Sequence, residues 1–499
     1  MRTRLLWAAY GVLATLVGLG LAHLVAAVTV ADTSPVLAVG STVIDLTPTP
    51  MKEWAIRTFG SADKAILQGS VLAGVLVLAG VAGILARRRT RYGAVLLLVL
   101  VGVAAVAVLT RPQASVLDLG PSLVAAVTAV LALAWLAREQ SATAAEGSGR
   151  RGILIAAGVL GAAAVLGGVG GRLINRLRLR PEDVALPDPT EPAPTFPRGL
   201  DDQVKGITPF RVDNDDFYRV DTRLDTPVVD SEDWTLTIDG DVDKKVTLTF
   251  DELLAMPMIE RDITLTCVSN SVGGEYVGGA RWLGVRLTDV LDLAGVGSKA
   301  DQILSTDFDG MTISTPLDLA TDGRDAMICV GMNGEALPRE HGFPVRMVIP
   351  GLYGFISATK WLTKLTLTTY DDREAYWTER GWATDAPIKI SARIDTPNAL
   401  DQLDAGEVVV GGVAWAQQLG GVEKVQVRID GGGWQDATLG PDAGSDYWRQ
   451  WFFKWPADKG SHRIAARAVS GDGETQTAVK AEPFPEGSSG IHELIVEIV

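Results

Sequence analysis

The sequence predicts a multi-domain chain: an N-terminal all-α membrane bundle, a central α+β domain and a C-terminal β-sandwich. Three observations predict it. Five apolar stretches fall within the first 171 residues. Charge then changes sign along the chain: residues 1–180 hold 17 Lys+Arg against 7 Asp+Glu, and the remainder holds 28 against 53, within a net charge of −15. Near residue 385 the pattern shifts from short strands mixed with helical turns to strands punctuated by glycine.

The apolar stretches run about 5–31, 66–86, 93–109, 121–137 and 152–171. A bilayer core needs about 20 apolar residues per helix. The first stretch meets this, and the others approach it with few charges. Too little polar surface surrounds them for the buried helices of a soluble core. Loop charge sets orientation. "MRTR" before the first stretch, "RRRTR" at 87–91 and "REQSATAAEGSGRR" between the fourth and fifth put the N-terminus in the cytoplasm and everything after the fifth stretch outside. "RLINRLRLR" (172–180) runs against that rule. Arg150 and Arg151 read either as topology-setting charges or as a twin-arginine export signal inside the chain. His23 is the only histidine here, which excludes a haem held between two membrane histidines of one chain. The region reads as an anchor, with a partner-docking role open.

Residues 172–206 form a linker whose "RPEDVALPDPTEPAPTFPRG" is rich in proline and acid, an extended spacer without a core of its own. Residues 207–384 alternate strand-like runs ("WTLTIDG", "KVTLTF", "ITLTCV", "TISTP", "PVRMVIPG") with helical ones ("FDELLAM", "VRLTDVLDLAGV"), the mark of an α+β domain. Residues 385–499 contain about seven strands separated by Gly-rich and Asp-Gly turns, which suggests an immunoglobulin-like sandwich. Its tryptophans, 415, 434, 448, 451 and 455, read as core and interface residues.

The acidic outer part excludes nucleic acid as a partner, because phosphate binding needs clustered cations. The two cysteines, Cys267 and Cys329, make no disulfide framework, although a single bridge between them stays open. Cys267 ends a β-branched run and precedes "SNSVGGEYVGG". From these residues alone it is either a small buried hydrophobe or a thiolate that binds metal or attacks a substrate.

Four blocks in order then carry a resemblance over about residues 207–499: "NDDFYRVDTRLDTPVVDSEDWTLTIDG", "TLTCVSN" with "GARWLGVRLTDVLDLAGV", "LPREHGFPVRMVIPGLYGFISATKWL", and the C-terminal sandwich. Together they resemble the sulfite oxidase family of molybdenum enzymes, and the anchor ahead of them looks like a membrane-bound actinobacterial branch. The resemblance implies molybdenum held by the dithiolene of one molybdopterin, a protein cysteine and oxygen ligands. It implies two-electron oxygen-atom transfer. Cys267 matches the metal-binding cysteine. Tyr218 and Arg219 match residues lining the metal site, Arg219 with a catalytic role. His341, Arg346, Lys360 and, beside it, Ser357 match cofactor contacts, and Asp307 is a weaker match. Cys329 matches no ligand position and reads as buried core. The glycines after Cys267 are expected to let backbone approach a bulky cofactor.

Two departures matter. Animal and plant members place an arginine pair shortly after "CxxN"; here the chain keeps Asn270 and has no arginine there. Arg219 and Arg281 are the remaining candidates for a cationic clamp. The substrate is therefore sulfite-like or an S-/N-oxide. No haem domain is present in the sequence, so electrons are expected to pass to or from a separate cytochrome or a quinone-linked partner. The resemblance also implies a homodimer through the sandwich. Outside catalysis, a membrane receptor or scaffold on a degenerate version of the fold is the competing hypothesis. A cysteine hydrolase ranks lower, since no histidine lies within 70 residues of Cys267.

Overall fold

A computed structural model describes residues 2–59, 62–111, 114–146, 151–178 and 184–499. Arg150, half of the arginine pair, lies outside the described residues. The chain divides into two compact units: Met1–Arg180 with Asp221–Val228, and Pro181–Val220 with Val229–Val499.

The first unit is helical. Among the described residues, five helices are long and apolar enough to cross a membrane: Thr3–Val28, Asp63–Ala86, Thr90–Leu109, Val116–Ser141 and Arg151–Asn175. Between the first two apolar stretches the chain carries two shorter helices, Pro35–Leu46 and Thr49–Phe59. The first begins on Pro35, whose fixed φ and missing N–H suit a first helical turn. The N-terminal helix packs against Asp63–Ala86, Gly120–Glu146 and Arg151–Arg178. Small residues permit this. A Cβ on Gly11 would overlap the Ala79 carbonyl, and one on Gly83 would overlap that of Trp7. Close backbone approach of this kind is how helices associate where hydrocarbon surrounds them. Val77, Val103, Val106, Leu154 and Leu166 point outward and are exposed, an apolar surface that water does not suit.

Residues 221–228 belong with these helices through ion pairs and hydrogen bonds. Lys64 Nζ lies 2.9 Å from Asp221. Gln68 donates to the Leu224 carbonyl at 3.2 Å, and Asn175 to Asp225 at 3.3 Å. Asp32 meets Arg111 at 2.9 Å and the buried Arg223 at 3.7 Å.

The second unit holds four sheets. A mixed sheet runs in the order Val246–Thr249, Thr235–Gly240, Leu362–Thr368, Gln302–Asp307, Thr312–Pro316, with the second and third strands parallel. An antiparallel sheet runs Met258–Thr266, Val277–Arg286, Met327–Met332, Glu335–Ala336, and Arg346–Val348 also pairs with Met327–Met332. Met327–Met332 is buried throughout, in keeping with its continuous apolar run, while Met258–Thr266 and Val277–Arg286 are buried except at Glu260, Arg261, Asp262, Arg281 and Arg286. Short helices cover the sheets. Phe250–Leu254 starts with a capping box in which Thr249 and Glu252 exchange bonds.

Residues after 390 form two further sheets. One has Ser391–Thr396, Gly406–Trp415, Arg449–Ala457 and Thr438–Leu439; the other has Gln402–Leu403, His492–Ile498, Gly460–Ser470, Val422–Ile429 and Gln435–Asp436. Val410, Val425, Val427, Trp451, Ile464 and Val496 share a core there. Trp415, Trp448, Trp451 and Trp455 are buried, whereas Trp434 is stacked between Arg428 and Arg467.

The proline-rich stretch after residue 184 is extended, as its composition implies, but it is docked. The Thr190 N–H donates to the Met258 carbonyl at 2.8 Å. Glu191 pairs with Arg261 at 2.9 Å and Arg286 at 2.7 Å. Phe196 packs on Phe210 and Tyr447. Prolines fix the backbone direction, and the acidic and aromatic side chains between them find partners on the domain.

Candidate functional site

Cys267 follows directly on the edge strand Met258–Thr266. That strand is covered rather than left open, as a stable edge requires. Its Thr264 N–H donates to the Asp446 carbonyl at 3.0 Å, and the Trp448 N–H donates to Thr264 Oγ1 at 3.0 Å. The Trp282 indole donates to the Ile263 carbonyl at 3.1 Å. A well-held strand thus aims the sulfur. Cys267 is buried, and its Sγ lies 3.0 Å from Ser269 Oγ. Burial pushes the thiol's pKa up, and the Ser269 hydrogen bonds oppose that.

The glycines of the post-cysteine segment meet protein side chains, which corrects the expectation that they clear space for cofactor. A Cβ on Gly278 would sit 2.8 Å from the Phe217 ring, and one on Gly279 2.5 Å from Tyr447. They permit aromatic packing behind the site.

Tyr218 lies within electrostatic reach of both Cys267 and Arg346. Burial, then the nearby Cys267, raise the Tyr218 pKa, and Arg346 pulls the other way. The Tyr218 ring stacks on Phe217 at 5.1 Å and faces Tyr276 at 6.4 Å. Arg346 is buried, with its guanidinium 4.9 Å over the Trp282 ring. Its Nη1 donates to the His341 carbonyl at 3.0 Å, while Nε is buried without a partner. Burial pushes the Arg346 pKa down to about 10.

His341 donates from Nε2 to the Asn214 carbonyl at 2.9 Å and stands edge-on to Phe217. Burial pushes its pKa down to about 4; the Asn214 bond opposes this, and the cations Arg346, Lys360 and Arg219 lower it further. The structure thus brings His341, Arg346, Lys360 and Arg219 into one electropositive neighbourhood. Lys360 Nζ donates to the Glu340 carbonyl at 3.1 Å and lies over Trp361. Such a group of buried and half-buried cations suits an anionic ligand.

The other candidates sit differently. The Ser357 hydroxyl donates to the Leu352 and Tyr353 carbonyls, both at 3.0 Å. Asp307 Oδ1 accepts the N–H groups of Asp309 and Met311, both at 2.9 Å, and so closes its own turn. Arg281 is engaged by Asp262 at 2.7 Å and Glu260 at 3.4 Å. Cys329 is fully buried, in register with Arg346 across two strands, and its pKa is pushed up to about 12 by burial. Both cysteines are free.

Arg339 went unnoticed in the sequence. It is buried, donates to the Val229 carbonyl at 2.9 Å and stacks on Phe343. Its place in "LPREHGFPVR" was the available signal. Asn270 was noticed only as a matching residue; its Oδ1 accepts the Tyr276 N–H at 2.9 Å and shapes the cysteine loop. Among the described residues no three His, Cys, Asp or Glu side chains gather as a metal site.

Residues 223–377 match the oxidoreductase molybdopterin binding domain. The chain is 29% identical over 319 residues to the mitochondrial sulfite oxidase of Drosophila melanogaster, covering 52% of this chain and 54% of that protein. It is 30% identical over 292 residues to the human mitochondrial enzyme, covering 48% and 52%. The chain thus spans about half the length of these relatives. It is 33% identical over 155 residues to the uncharacterized oxidoreductase YuiH of Bacillus subtilis (strain 168), covering 31% of this chain and 74% of that one. The crystal structure of the sulfane dehydrogenase SoxCD from Paracoccus pantotrophus shares the fold, with a TM-score of 0.51 at 21% identity over 59% of this chain and 84% of that one. The matched domain, the identity to these relatives and the shared fold place this chain in the sulfite oxidase family of molybdopterin-binding oxidoreductases.

Proposed function

We propose that this chain is a membrane-anchored, extracytoplasmic molybdenum-cofactor oxidoreductase that transfers an oxygen atom to or from a small sulfur compound or an S-/N-oxide. Five membrane spans would hold it, the domain at 207–384 would carry the cofactor, and an immunoglobulin-like sandwich at 385–499 would support a homodimer. The observation that carries this is Tyr218, within electrostatic reach of Cys267 on one side and of Arg346 on the other, where Arg346 belongs to the same electropositive neighbourhood as His341, Lys360 and Arg219.

The residues fit the cofactor chemically. Arg346 Nε and the Thr266 hydroxyl beside Cys267 are buried polar atoms without a partner, an arrangement that a bound polar group would satisfy. Molybdenum in molybdopterin supplies a two-electron change coupled to gain or loss of one oxygen atom. Cys267 would be the protein's ligand to the metal; a bound cation stabilises the thiolate that burial alone disfavours. Arg346 and Lys360 would neutralise cofactor negative charge, and His341, held neutral, would offer Nδ1 as an acceptor. Tyr218 would line the substrate side with its phenol protonated, and Arg219 would polarise the transferred oxygen. Under this assignment Asp307 and Ser357 shape their own segments, since their polar groups bond within them.

The engagement of Arg281 by two carboxylates favours the S-/N-oxide over sulfite, because it removes one of the two cations that an anionic substrate would use. A separate cytochrome or quinone-linked partner would carry the electrons. The test is molybdenum content and visible absorption of detergent-purified wild type beside Cys267→Ser. Near-stoichiometric metal, with a thiolate-to-metal band lost in the variant, supports the proposal. Wild type without molybdenum from a cofactor-competent host refutes it. Dye-coupled turnover of sulfite against a sulfoxide then separates the substrate classes.

A further inference from the structure

The loop carrying Cys267 closes on itself. The Cys267 N–H donates to the Tyr276 carbonyl at 2.9 Å, and the Asn270 N–H to the Cys267 carbonyl at 3.0 Å. The Tyr276 N–H returns to Asn270 Oδ1 at 2.9 Å. These bonds tie the loop to itself, and further contacts reach it from elsewhere in the sequence.

Three side chains from the C-terminal β region reach the loop's outer side. Arg393 Nη1 donates to the Gly274 carbonyl at 3.0 Å. Ser488 Oγ donates to the Asn270 carbonyl at 2.6 Å. The His492 ring occupies the space a Cβ on Gly273 would need, and Gly273 has φ +79. Two of the three are anchored in turn. Arg393 is 7% exposed, pairs with Asp395 at 2.6 Å and donates to Thr208 Oγ1 at 2.6 Å. His492 Nδ1 accepts the Ile394 N–H at 3.0 Å, which puts its proton on Nε2.

We infer that Arg393, Ser488 and His492 are positioning residues for the Cys267 thiol, so that the C-terminal β region is a working part of the metal site. They touch no reacting atom; they act by holding the carbonyls of Asn270 and Gly274 and by filling the space at Gly273. The inference rests on the proposed role of Cys267 for its meaning in catalysis. The mechanical claim, that these side chains fix the loop, stands on the contacts alone.

Hydrogen exchange on the detergent-solubilised full chain tests the mechanical claim, with or without cofactor. In Arg393→Gln, peptides covering 267–276 are expected to exchange about tenfold faster, the effect of losing a charge-assisted bond. Ser488→Ala is expected to move the same peptides by a smaller factor, and Arg393→Lys to recover part of the protection. Peptides over Gly460–Ser470 and Val422–Ile429 should keep wild-type rates. In loaded enzyme the thiolate-to-metal band should shift, with kcat falling more than KM rises.

Unchanged exchange at 267–276 in both Arg393→Gln and Ser488→Ala overturns the inference. So does faster exchange spread evenly over the β strands in Ser488→Ala, which would mark a merely structural role. If Arg393→Gln fails to fold, Ser488→Ala decides, since it removes one hydroxyl and no charge. Wild type that binds no molybdenum would refute the proposed function and leave the exchange result to decide the loop's mechanics.

Discussion

Replacing Arg346 by methionine should stabilise the cofactor-free protein and abolish cofactor retention. Arg346 is 5% exposed, and burial brings its pKa down to about 10. Against the ordinary arginine value that depression corresponds to about 3 kcal/mol disfavouring the folded cation, at about 1.4 kcal/mol per power of ten. Two contacts offset part of it. The Trp282 face at 4.9 Å contributes about 1 kcal/mol. The bond to the His341 carbonyl at 3.0 Å contributes about 1 kcal/mol more. The balance is a gain of about 1 kcal/mol for Arg346→Met, or roughly 2–4 °C in melting temperature. The assay is thermal unfolding of the detergent-solubilised, cofactor-free chain by tryptophan fluorescence, with released pterin measured on protein from a cofactor-competent host. A variant that melts below wild type yet retains pterin would refute the reasoning, because the buried cation would then be a structural group and not one reserved for an anion.

Other outcomes follow from the same physics. His341 titrates near pH 4 when folded and near 6.5 when unfolded, so the unfolded chain binds the proton first and stability falls as pH drops through that window. Up to about 3 kcal/mol is at stake, and His341→Gln should flatten urea-melt stability between pH 6.5 and 4 relative to wild type. Gly278→Ala puts a methyl 2.8 Å from the Phe217 ring and should destabilise the second unit by about 1–3 kcal/mol, read by the same melts. Asp32→Asn removes the charge that Arg111 and the buried Arg223 share and should lower helical-unit stability by about 1 kcal/mol, visible as a lower melting temperature in detergent by circular dichroism.

Local chemistry was legible in the sequence. The long apolar helices, the strands "TLTIDG" and "TISTP" and the helix at Phe250–Leu254 all follow from composition, period and capping. His341 and Arg346 were marked by the resemblance that "HGFPVR" carries. What failed to show was long-range choice. Nothing local announces that Leu362–Thr368 lies parallel to Thr235–Gly240, or that Arg281 turns to Asp262. The glycines after Cys267 were read toward a ligand, yet Gly273 meets His492, Gly278 meets Phe217 and Gly279 meets Tyr447, contacts that no local pattern announces. Arg393 and His492 carry no motif at all; only the folded chain places them on the cysteine loop.

The assignment of Asp221–Val228 to the helical unit has a consequence for modularity. The backbone passes between the two units at 180, 220 and 228, so one cut cannot part them. A chain shortened to start after Arg180 would keep Asp221, Arg223 and Leu224 but lose Lys64, Asp32 and Gln68, which hold them. The orphaned stretch begins two residues beyond Arg219. Excising the helices would therefore release a stretch of chain whose partners are gone, and a version without them calls for redesign of 221–228 with a polar, self-satisfied turn.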